Sequence, residues 1–409
     1  MDPWYHVYDP VMTWGQIGVD FQERVNFDRL RKERLERTRK KMKEKGLDAL
    51  ILFNGDNIRY ATGTFDYIWR TFMRYAMIPA ASDPIVFEPV GPDTEHVLMN
   101  NPWLNGRVRP SMVWQGAWSA EEHVADRFAE GVKKALKEEG VLGGRIGADM
   151  LDGPSAKALS KAGIQTVDSS RAMMEARLIK TRDELEILKQ ICFVVDCAYD
   201  LLRNQWTRPG ARESELAGRL AHFLFSNSFD QYGGNVSSGT NSNPYFRGGH
   251  TDKLVRRGET IIIDIVSQFL GYWSDYVRCW VVGDKPTEEQ RAAYRECYDS
   301  LHAAMKAVKP GSTSKDIAEK FIENDESKYG TTSLIQGGHS VGLNSHEGFW
   351  ITRAYSLDHP EKIEQNMYLA LETHSQKGRF GARLEENLVV TDKGYQTFSL
   401  FPFEEVLLK

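Results

Sequence analysis

Five side chains in the second half of the chain have the types and spacing of a two-metal site: Asp264, Asp275, His339, Glu372 and Glu385. Asp264 and Asp275 lie in IIIDIVSQFLGYWSDYVRCW, His339 in QGGHSVGLNSHEGFW, and Glu372 and Glu385 in MYLALETHSQKGRFGARLEENLVV. Carboxylates with one imidazole are mostly hard oxygen donors, which favour divalent cations able to activate water. Gathered at one point without counter-charge, such carboxylates repel strongly and take up protons. Two dications balance four anions, and that balance is the physical reason to read a dinuclear centre.

The elements that must position these groups read as two hairpins. Ile261 to Val266 is a buried apolar strand, Gln268 to Gly271 the turn, and Tyr272 to Val282 the return strand. Pairing symmetric about Phe269–Leu270 sets Asp264 directly opposite Asp275, on one face of the sheet. Met367 to Thr373 and Ala382 to Val390 form the second pair, turning through Gln376 to Gly381, and set Glu372 opposite Glu385. A single Asp in an apolar strand is ordinarily a hydrogen-bonded structural residue. The full set, in register and joined by a glycine-flanked histidine, carries the reading.

The chain has 409 residues and a formal net charge of −5, enough for two or three domains with a sizeable core. The mild negative balance argues against a dedicated nucleic-acid binder. Cys192, Cys197, Cys279 and Cys297 form no CxxC pair and read as reduced core thiols. No apolar run reaches membrane-spanning length, and the start, MDPWYHVYDPVMTWGQ, lacks the basic-then-apolar pattern of a signal peptide. The expectation is a cytoplasmic protein with neither nucleic acid nor membrane as partner.

Residues 1–26 are aromatic and irregular and read as an arm that packs on this chain or on a partner subunit; Trp4 of the arm and Trp69 of the domain that follows are candidates to reach a neighbouring subunit's site. Residues 27–171 read as a smaller α/β domain. It opens on a charged helix from Phe27 to Lys45, closed by Gly46, with i,i+4 pairs such as Glu33–Arg37 on a solvated face. Strands follow at Leu47–Phe53, Tyr75–Pro79, Pro84–Glu88 and around Ile146. A capping box at Ser119–Glu122 opens a helix with Val124, Phe128, Val132 and Leu136 on one side. No Gly-rich phosphate loop appears. Residues 172–409 form the second domain: Glu175 to Thr181 reads as the junction, and a second capping box, Thr181–Glu184, opens a long helix with Leu185, Leu188, Ile191, Val195, Ala198 and Leu202 as the apolar stripe. A helix follows Pro209–Gly210 with Leu216, Leu220 and Phe223 or Leu224 inward. Beyond the first hairpin come a helix at the Thr287–Gln290 box and another over Ser314–Asn324, then the His339 segment and the second hairpin. The order helix, helix, hairpin occurs twice, which indicates an α+β domain and not a doubly wound parallel sheet.

Residues 172–409 resemble the pita-bread fold of methionine aminopeptidase, prolidase, Xaa-Pro aminopeptidase and creatinase. The motifs DIVSQFLGYWSDYVR, GGHSVGLNSHE, LETH and GARLEEN carry the resemblance together. NIRYATG in the N-terminal domain and Arg383, two before Glu385, point to the prolidase, Xaa-Pro aminopeptidase and creatinase branch. The resemblance implies that Asp264 chelates one metal, that Asp275 and Glu385 bridge both, and that His339 and Glu372 complete the second. It implies manganese, iron, cobalt or zinc ions, with a water or hydroxide between them as nucleophile. It gives catalytic roles to Glu372 as proton relay, His346 toward the developing oxyanion, and Arg383 as a clamp on carboxylates. The implied reaction is hydrolysis of an amide or related C–N bond in a small Xaa-Pro-like substrate, commonly by a homodimer.

Two departures open alternatives. Pro244, Tyr245 and Phe246 stand where the peptidases carry a substrate-holding histidine, and His250 follows a few residues later. Asn-Pro-aromatic-Phe also resembles the dimethylsulfoniopropionate lyase of this superfamily, yet Asn344, Ser345 and His346 replace that lyase's basic Asp, and Ile265 and Val266 follow Asp264. A lyase acting by β-elimination, and a non-catalytic binding module, are therefore the competing readings. Tyr245, Phe246, His250 and Trp350 are the substrate-binding candidates. With Tyr272 and Trp273, the aromatics form either a cage for a cationic group or ordinary packing.

Overall fold

The computed structural model describes residues 25–65, 74–89, 91–111, 121–323 and 337–409. Trp4, Trp69, Ser119, Asn324 and nearly all of the N-terminal arm lie outside them. The chain divides into two compact units, Asn26–Arg177 and Leu178–Lys409. No helix among the described residues is long and apolar enough to cross a membrane.

The first unit opens with helix α1, Phe27–Lys45, whose first turn is capped by the Asn26 side chain accepting from the Arg29 N–H. The helix stops at Gly46, where φ is 64°, a conformation that favours glycine. Short strands β1 (Ala49–Leu52), β2 (Tyr75–Pro79), β3 (Ile85–Glu88), β4 (Val108–Pro110), β5 (Ile146–Ala148) and β6 (Thr166–Asp168) form one sheet in the order β4-β3-β2-β1-β5-β6. Val124, Phe128, Val132 and Leu136 of the helix Glu121–Glu138 pack with Ile51, Tyr75, Met77 and Phe87 of that sheet. This is the mixed α/β domain expected. The helix Gly55–Thr62, capped by Asn54, is a feature the sequence reading passed over.

The second unit repeats a simple plan. Helix α2 (Arg182–Leu201) is closed at its start by the reciprocal Thr181–Glu184 box. Its buried stripe is Ile187, Leu188, Ile191, Val195 and Ala198. Leu185, expected inward, is only partly buried, because at 3.6 residues per turn it stands roughly 110° round the helix from the middle of that stripe. Helix α3 (Glu213–Ser226) buries Leu216, Leu220 and Leu224. Strands β7 (Gln231–Ser238), β8 (Thr260–Phe269) and β9 (Tyr272–Val281) then form an antiparallel sheet in chain order. The second half supplies helix α4 (Glu288–Ala307), a short helix Ser314–Ala318, and strands β10 (Gly337–Ser340), β11 (Glu347–Ile351), β12 (Tyr368–Lys377), β13 (Phe380–Val390) and β14 (Tyr395–Thr397). These five strands run in the order β11-β10-β12-β13-β14. Apolar residues of α4, among them Cys297, Leu301 and Ala304, share one core cluster with Leu371, Leu384 and Leu388 of β12 and β13.

The first hairpin corrects the expected register. Its turn is Leu270–Gly271, with φ of 50° and 80°, so that Phe269 pairs with Tyr272, Val266 with Asp275 and Asp264 with Val277. Two successive positive φ values are the type I′ geometry whose twist suits a hairpin. The pairing centre therefore lies one residue beyond Phe269–Leu270, and each partner moves by two. Because side chains alternate with period two, Asp264 and Asp275 become diagonal neighbours yet keep a common face. The second hairpin places Glu372 directly opposite Glu385. The thiols also need one correction. Cys192, Cys279 and Cys297 are buried, whereas Cys197 is exposed on the outer side of α2.

Candidate metal centre

The five-stranded sheet presents its side chains in rows. One row runs Trp350, His339, Ala370 and Asn387; the next holds Glu372 and Glu385; a third holds His374 and Arg383. The three-stranded sheet presents Asn235, Asp264 and Val277 in one row and Gly233, Val266 and Asp275 in the next. The two sheets meet through Asn387, whose side chain bonds the backbone of Asp275. The sequence-predicted donors thus come together. Asp264, Asp275 and Glu385 offer oxygens within 4.8 Å of one another, as do the donor atoms of His339, Glu372 and Glu385.

All five groups are buried, with relative exposures of 5% or less. Arg383 enters the cluster between the hairpins. Its Nη1 lies 2.5 Å from Asp264 Oδ2, its Nη2 bonds Glu372 Oε2, and it stands 3.8 Å from Glu385 Oε2. One guanidinium cannot neutralise four carboxylates. Burial first, and then the neighbouring Asp264, push the Asp275 carboxyl well above its ordinary range. Burial and then Asp275 do the same to Glu385. His339 Nε2 lies 3.9 Å from Asp275 Oδ2 and 3.9 Å from Glu385 Oε1. These are not ion pairs: burial, then His346, lowers His339 to about 3, so its imidazole is neutral near pH 7. A neutral imidazole is the ligand form.

Orphaned atoms test whether the donors suit a metal. Asp264 Oδ1 and both Glu385 oxygens are buried and have no hydrogen-bond partner among the described residues. Buried carboxylate oxygens without donors are costly unless a cation or proton meets them. The oxygen-rich set with one neutral imidazole fits hard to borderline divalent cations.

The other predicted residues divide. His346 is 40% exposed, its Nδ1 sits 2.9 Å from Ser345 Oγ, and its Nε2 lies 4.0 Å from Asp275 Oδ2. Asp275, His339 and His346 form a third group of mutually close donors, so His346 stands at the edge of the cluster. Trp350 lies beside both histidines, with ring centroids 5.2 Å from His339 and 5.1 Å from His346. Tyr245 covers Arg383, which donates to its hydroxyl at 3.3 Å. Phe246 is 39% exposed, and His250 is exposed and makes no hydrogen bond or ion pair with the cluster among the described residues. Tyr272 faces away, its hydroxyl donating to Glu184 Oε1 at 3.0 Å, because it alternates with Trp273 and Asp275 along β9.

Four further residues, Asn387 among them, support the site without a signal in the sequence. Asn235 Nδ2 donates to Asp264 Oδ2 at 3.2 Å. Arg278 is fully buried behind β13, bonding the Glu385 carbonyl at 2.8 Å and the Glu386 carboxylate at 2.6 Å. His374 lies under Tyr245, with ring centroids 6.0 Å apart. Asn387 and His374 sit inside the GARLEEN and LETH motifs, but nothing in those motifs says which groups they meet.

Two acidic antiparallel hairpins converging with one buried imidazole, in a unit of repeated helix–helix–sheet order, define a pita-bread metal-dependent hydrolase. Residues 186–392 match metallopeptidase family M24 and residues 34–179 match the creatinase/prolidase N-terminal domain; the chain belongs to family M24. It is 26% identical to a Xaa-Pro dipeptidase of Pyrococcus furiosus over 373 residues, 89% of this chain and 96% of that protein. It is 23% identical to the dimethylsulfoniopropionate lyase DddP of Roseovarius nubinhibens over 423 residues, 97% of this chain and 90% of that protein. Among solved structures, a Xaa-Pro dipeptidase from Bacillus anthracis superposes with a TM-score of 0.74 at 21% identity, covering 91% of this chain and 98% of that one.

Proposed function

We propose that this chain is a dinuclear metal-dependent hydrolase cleaving the amide bond of a small Xaa-Pro-like substrate. The observation that carries the reading is the direct pairing of Glu372 with Glu385, beside Asp264 and Asp275, with both Glu385 oxygens buried and lacking donors among the described residues. Asp264, Asp275, His339, Glu372 and Glu385 would hold two ions of manganese, iron, cobalt or zinc. Such ions supply Lewis acidity and depress the pKa of water toward neutrality. The chain's own groups would do the rest. Glu372 takes and returns a proton. His346, steadied through Nδ1 by Ser345, presents Nε2 toward the reacting carbonyl. Arg383 fixes the orientation of Asp264 and Glu372. Its dipeptidase relatives support the substrate class.

A second reading, β-elimination of dimethylsulfoniopropionate or a similar zwitterion, is favoured by the Asn243-Pro244-Tyr245-Phe246 run and by a lyase relative that extends over nearly the whole chain. A homodimer in a reducing compartment such as the cytoplasm completes the proposal; none of the four cysteines is in a disulfide.

The test is a metal-reconstituted activity screen on Xaa-Pro dipeptides, beside an assay of dimethylsulfoniopropionate for volatile sulfide and acrylate. Protein purified without chelator is expected to carry divalent metal and to hydrolyse at least one dipeptide. Absence of bound metal, or full turnover by Asp275→Ala, sinks the hydrolase. Sulfide with no dipeptide cleavage transfers the site to the lyase.

A further inference from the structure

His374 Nε2 and Arg383 Nε are both buried and have no hydrogen-bond partner among the described residues. The two residues pair directly across β12 and β13 and are 4% and 3% exposed. They form the row next to Glu372 and Glu385 on the same face, on the order of 7 Å further along the strands. Tyr245 lies over both, with its ring centroid 6.0 Å from that of His374 and 5.3 Å from the Arg383 guanidinium carbon. The loop carrying Tyr245 is pinned there. Asn243 Nδ2 donates to the Gly378 carbonyl at 2.9 Å. A Cβ at Gly381 would meet the Ser242 carbonyl at 2.0 Å, so only glycine allows that approach.

We propose that His374 Nε2 and Arg383 Nε form a subsite for a carboxylate of the substrate. The chemistry of the two atoms selects the ligand. Arginine nitrogens only donate, and imidazole donates from Nε2 in the tautomer protonated there. Two donors on opposed residues, with Cβ atoms about 5 Å apart, suit the two oxygens of one carboxylate and repel an ammonium or sulfonium head. With the scissile amide at the acidic cluster, the free carboxylate of a dipeptide lies one residue, about 3.5 Å, further along the extended chain, and the Arg383 side chain spans the remaining gap, since it reaches from this row back to Asp264 and Glu372. Tyr245 shields the row from water, which strengthens both bonds. His374 is thereby a specificity-determining residue, distinct from the candidate metal ligands. The identity of the reacted molecule rests on the hydrolase reading; the carboxylate preference does not.

The experiment titrates L-proline and L-prolinamide, neither of which contains an Xaa-Pro bond, into the metal-loaded protein by calorimetry, with the recovered prolinamide checked to be intact. Wild type, His374→Phe and His374→Gln are compared, with turnover of glycyl-L-proline measured in parallel. Wild type is expected to bind the carboxylate about tenfold or more tightly than the amide. His374→Phe is expected to lose most of that preference, with metal content unchanged and thermal stability equal or higher, since an orphaned buried nitrogen is removed. His374→Gln, which keeps a donor, is expected to fall between them. A preference intact in both variants, or no binding of either ligand by wild type, overturns the subsite. Turnover with the preference intact in His374→Phe removes the subsite and leaves the hydrolase standing. No turnover, with the preference present in wild type and lost in His374→Phe, removes the hydrolase and leaves the subsite standing.

Discussion

Asn387 satisfies both backbone polar groups of Asp275. Its Oδ1 accepts from the Asp275 N–H at 3.2 Å, and its Nδ2 donates to the Asp275 carbonyl. Tyr368 donates to the same Oδ1 at 2.8 Å, and Asn387 is fully buried. Asn387 lies two residues after Glu385, on the same face of β13. One primary amide therefore imitates a rung of β-ladder between two different sheets, and it fixes the strand of Asp275 against the strand of Glu385.

Truncation of that amide should be felt at the site and in the fold. Asn387→Ala leaves the Asp275 N–H and C=O buried without their partner, at about 1–3 kcal/mol for each such group. A loss of roughly 2–5 kcal/mol in unfolding free energy is expected, with metal affinity falling about 10- to 100-fold, as for other groups that orient metal ligands. Urea unfolding and metal titration measure the two. Wild-type metal affinity in a destabilised Asn387→Ala would show that the contact serves the fold alone.

Divalent metal should stabilise the protein through the acidic cluster. A ligand present at a hundred times its Kd adds about 2.7 kcal/mol to the folded state, which for a unit of this size raises Tm by about 5–10 °C. Chelation is expected to lower Tm by that amount and manganese, cobalt or zinc to restore it. Glu385→Leu removes two oxygens that lack donors among the described residues and should make Tm indifferent to metal. A chelator-insensitive wild type would leave the four carboxylates balanced by Arg383 and protons alone.

Much of this site was legible because strand alternation is robust. The face shared by Asp264 and Asp275 survived a displaced turn, since the displacement moved every partner by two residues. The turn itself was misplaced because Leu270 adopts φ 50°, a conformation its residue type does not announce. Strand β7, QYGGNVSS, shows no apolar alternation and exists because β8 pairs with it; Gly234 is required there, as a Cβ would meet the Asp264 carbonyl at 2.0 Å. His374 was unreadable for another reason. Its surroundings are set by Tyr245, distant in sequence, and no local pattern encodes that meeting.

The first unit carries its own titrating group. Asp149 is 1% exposed; its Oδ1 accepts from the Phe53 and Asn54 N–H groups and its Oδ2 from Asn57 Nδ2 at 2.7 Å. Burial raises its carboxyl above the ordinary value and outweighs the lowering by those bonds and by Arg177. The folded unit thus binds this proton more tightly than the unfolded chain, where an Asp titrates near about 3.9. The associated stability is complete below the unfolded value and is lost as pH rises through the folded one. The difference in unfolding free energy between wild type and Asp149→Asn should therefore fall as pH rises above about 4 and then level off. A difference that grows with pH would mean that the hydrogen bonds to the charged carboxylate dominate its burial.

Lys180 and Glu347 make the sharpest case for separating stability from positioning. Lys180 Nζ lies 2.7 Å from Glu347 Oε1, with side-chain exposures of 0% and 2%, and 3.3 Å from Ser340 Oγ. Ser340 follows His339, Glu347 follows His346, and the two pair across β10 and β11. One ammonium thus holds the neighbours of both histidines. Removing one partner of a buried pair costs about 3–5 kcal/mol, whereas replacing both by apolar residues is often neutral. Lys180→Met is expected to destabilise by that amount and Lys180→Met/Glu347→Leu to recover most of it. Turnover should not recover with it. Once the ammonium no longer ties β10 to β11, His346 loses its fixed approach to Asp275, and kcat is expected to stay about 10- to 100-fold down. A double variant that regains both stability and kcat would reduce the pair to a structural device.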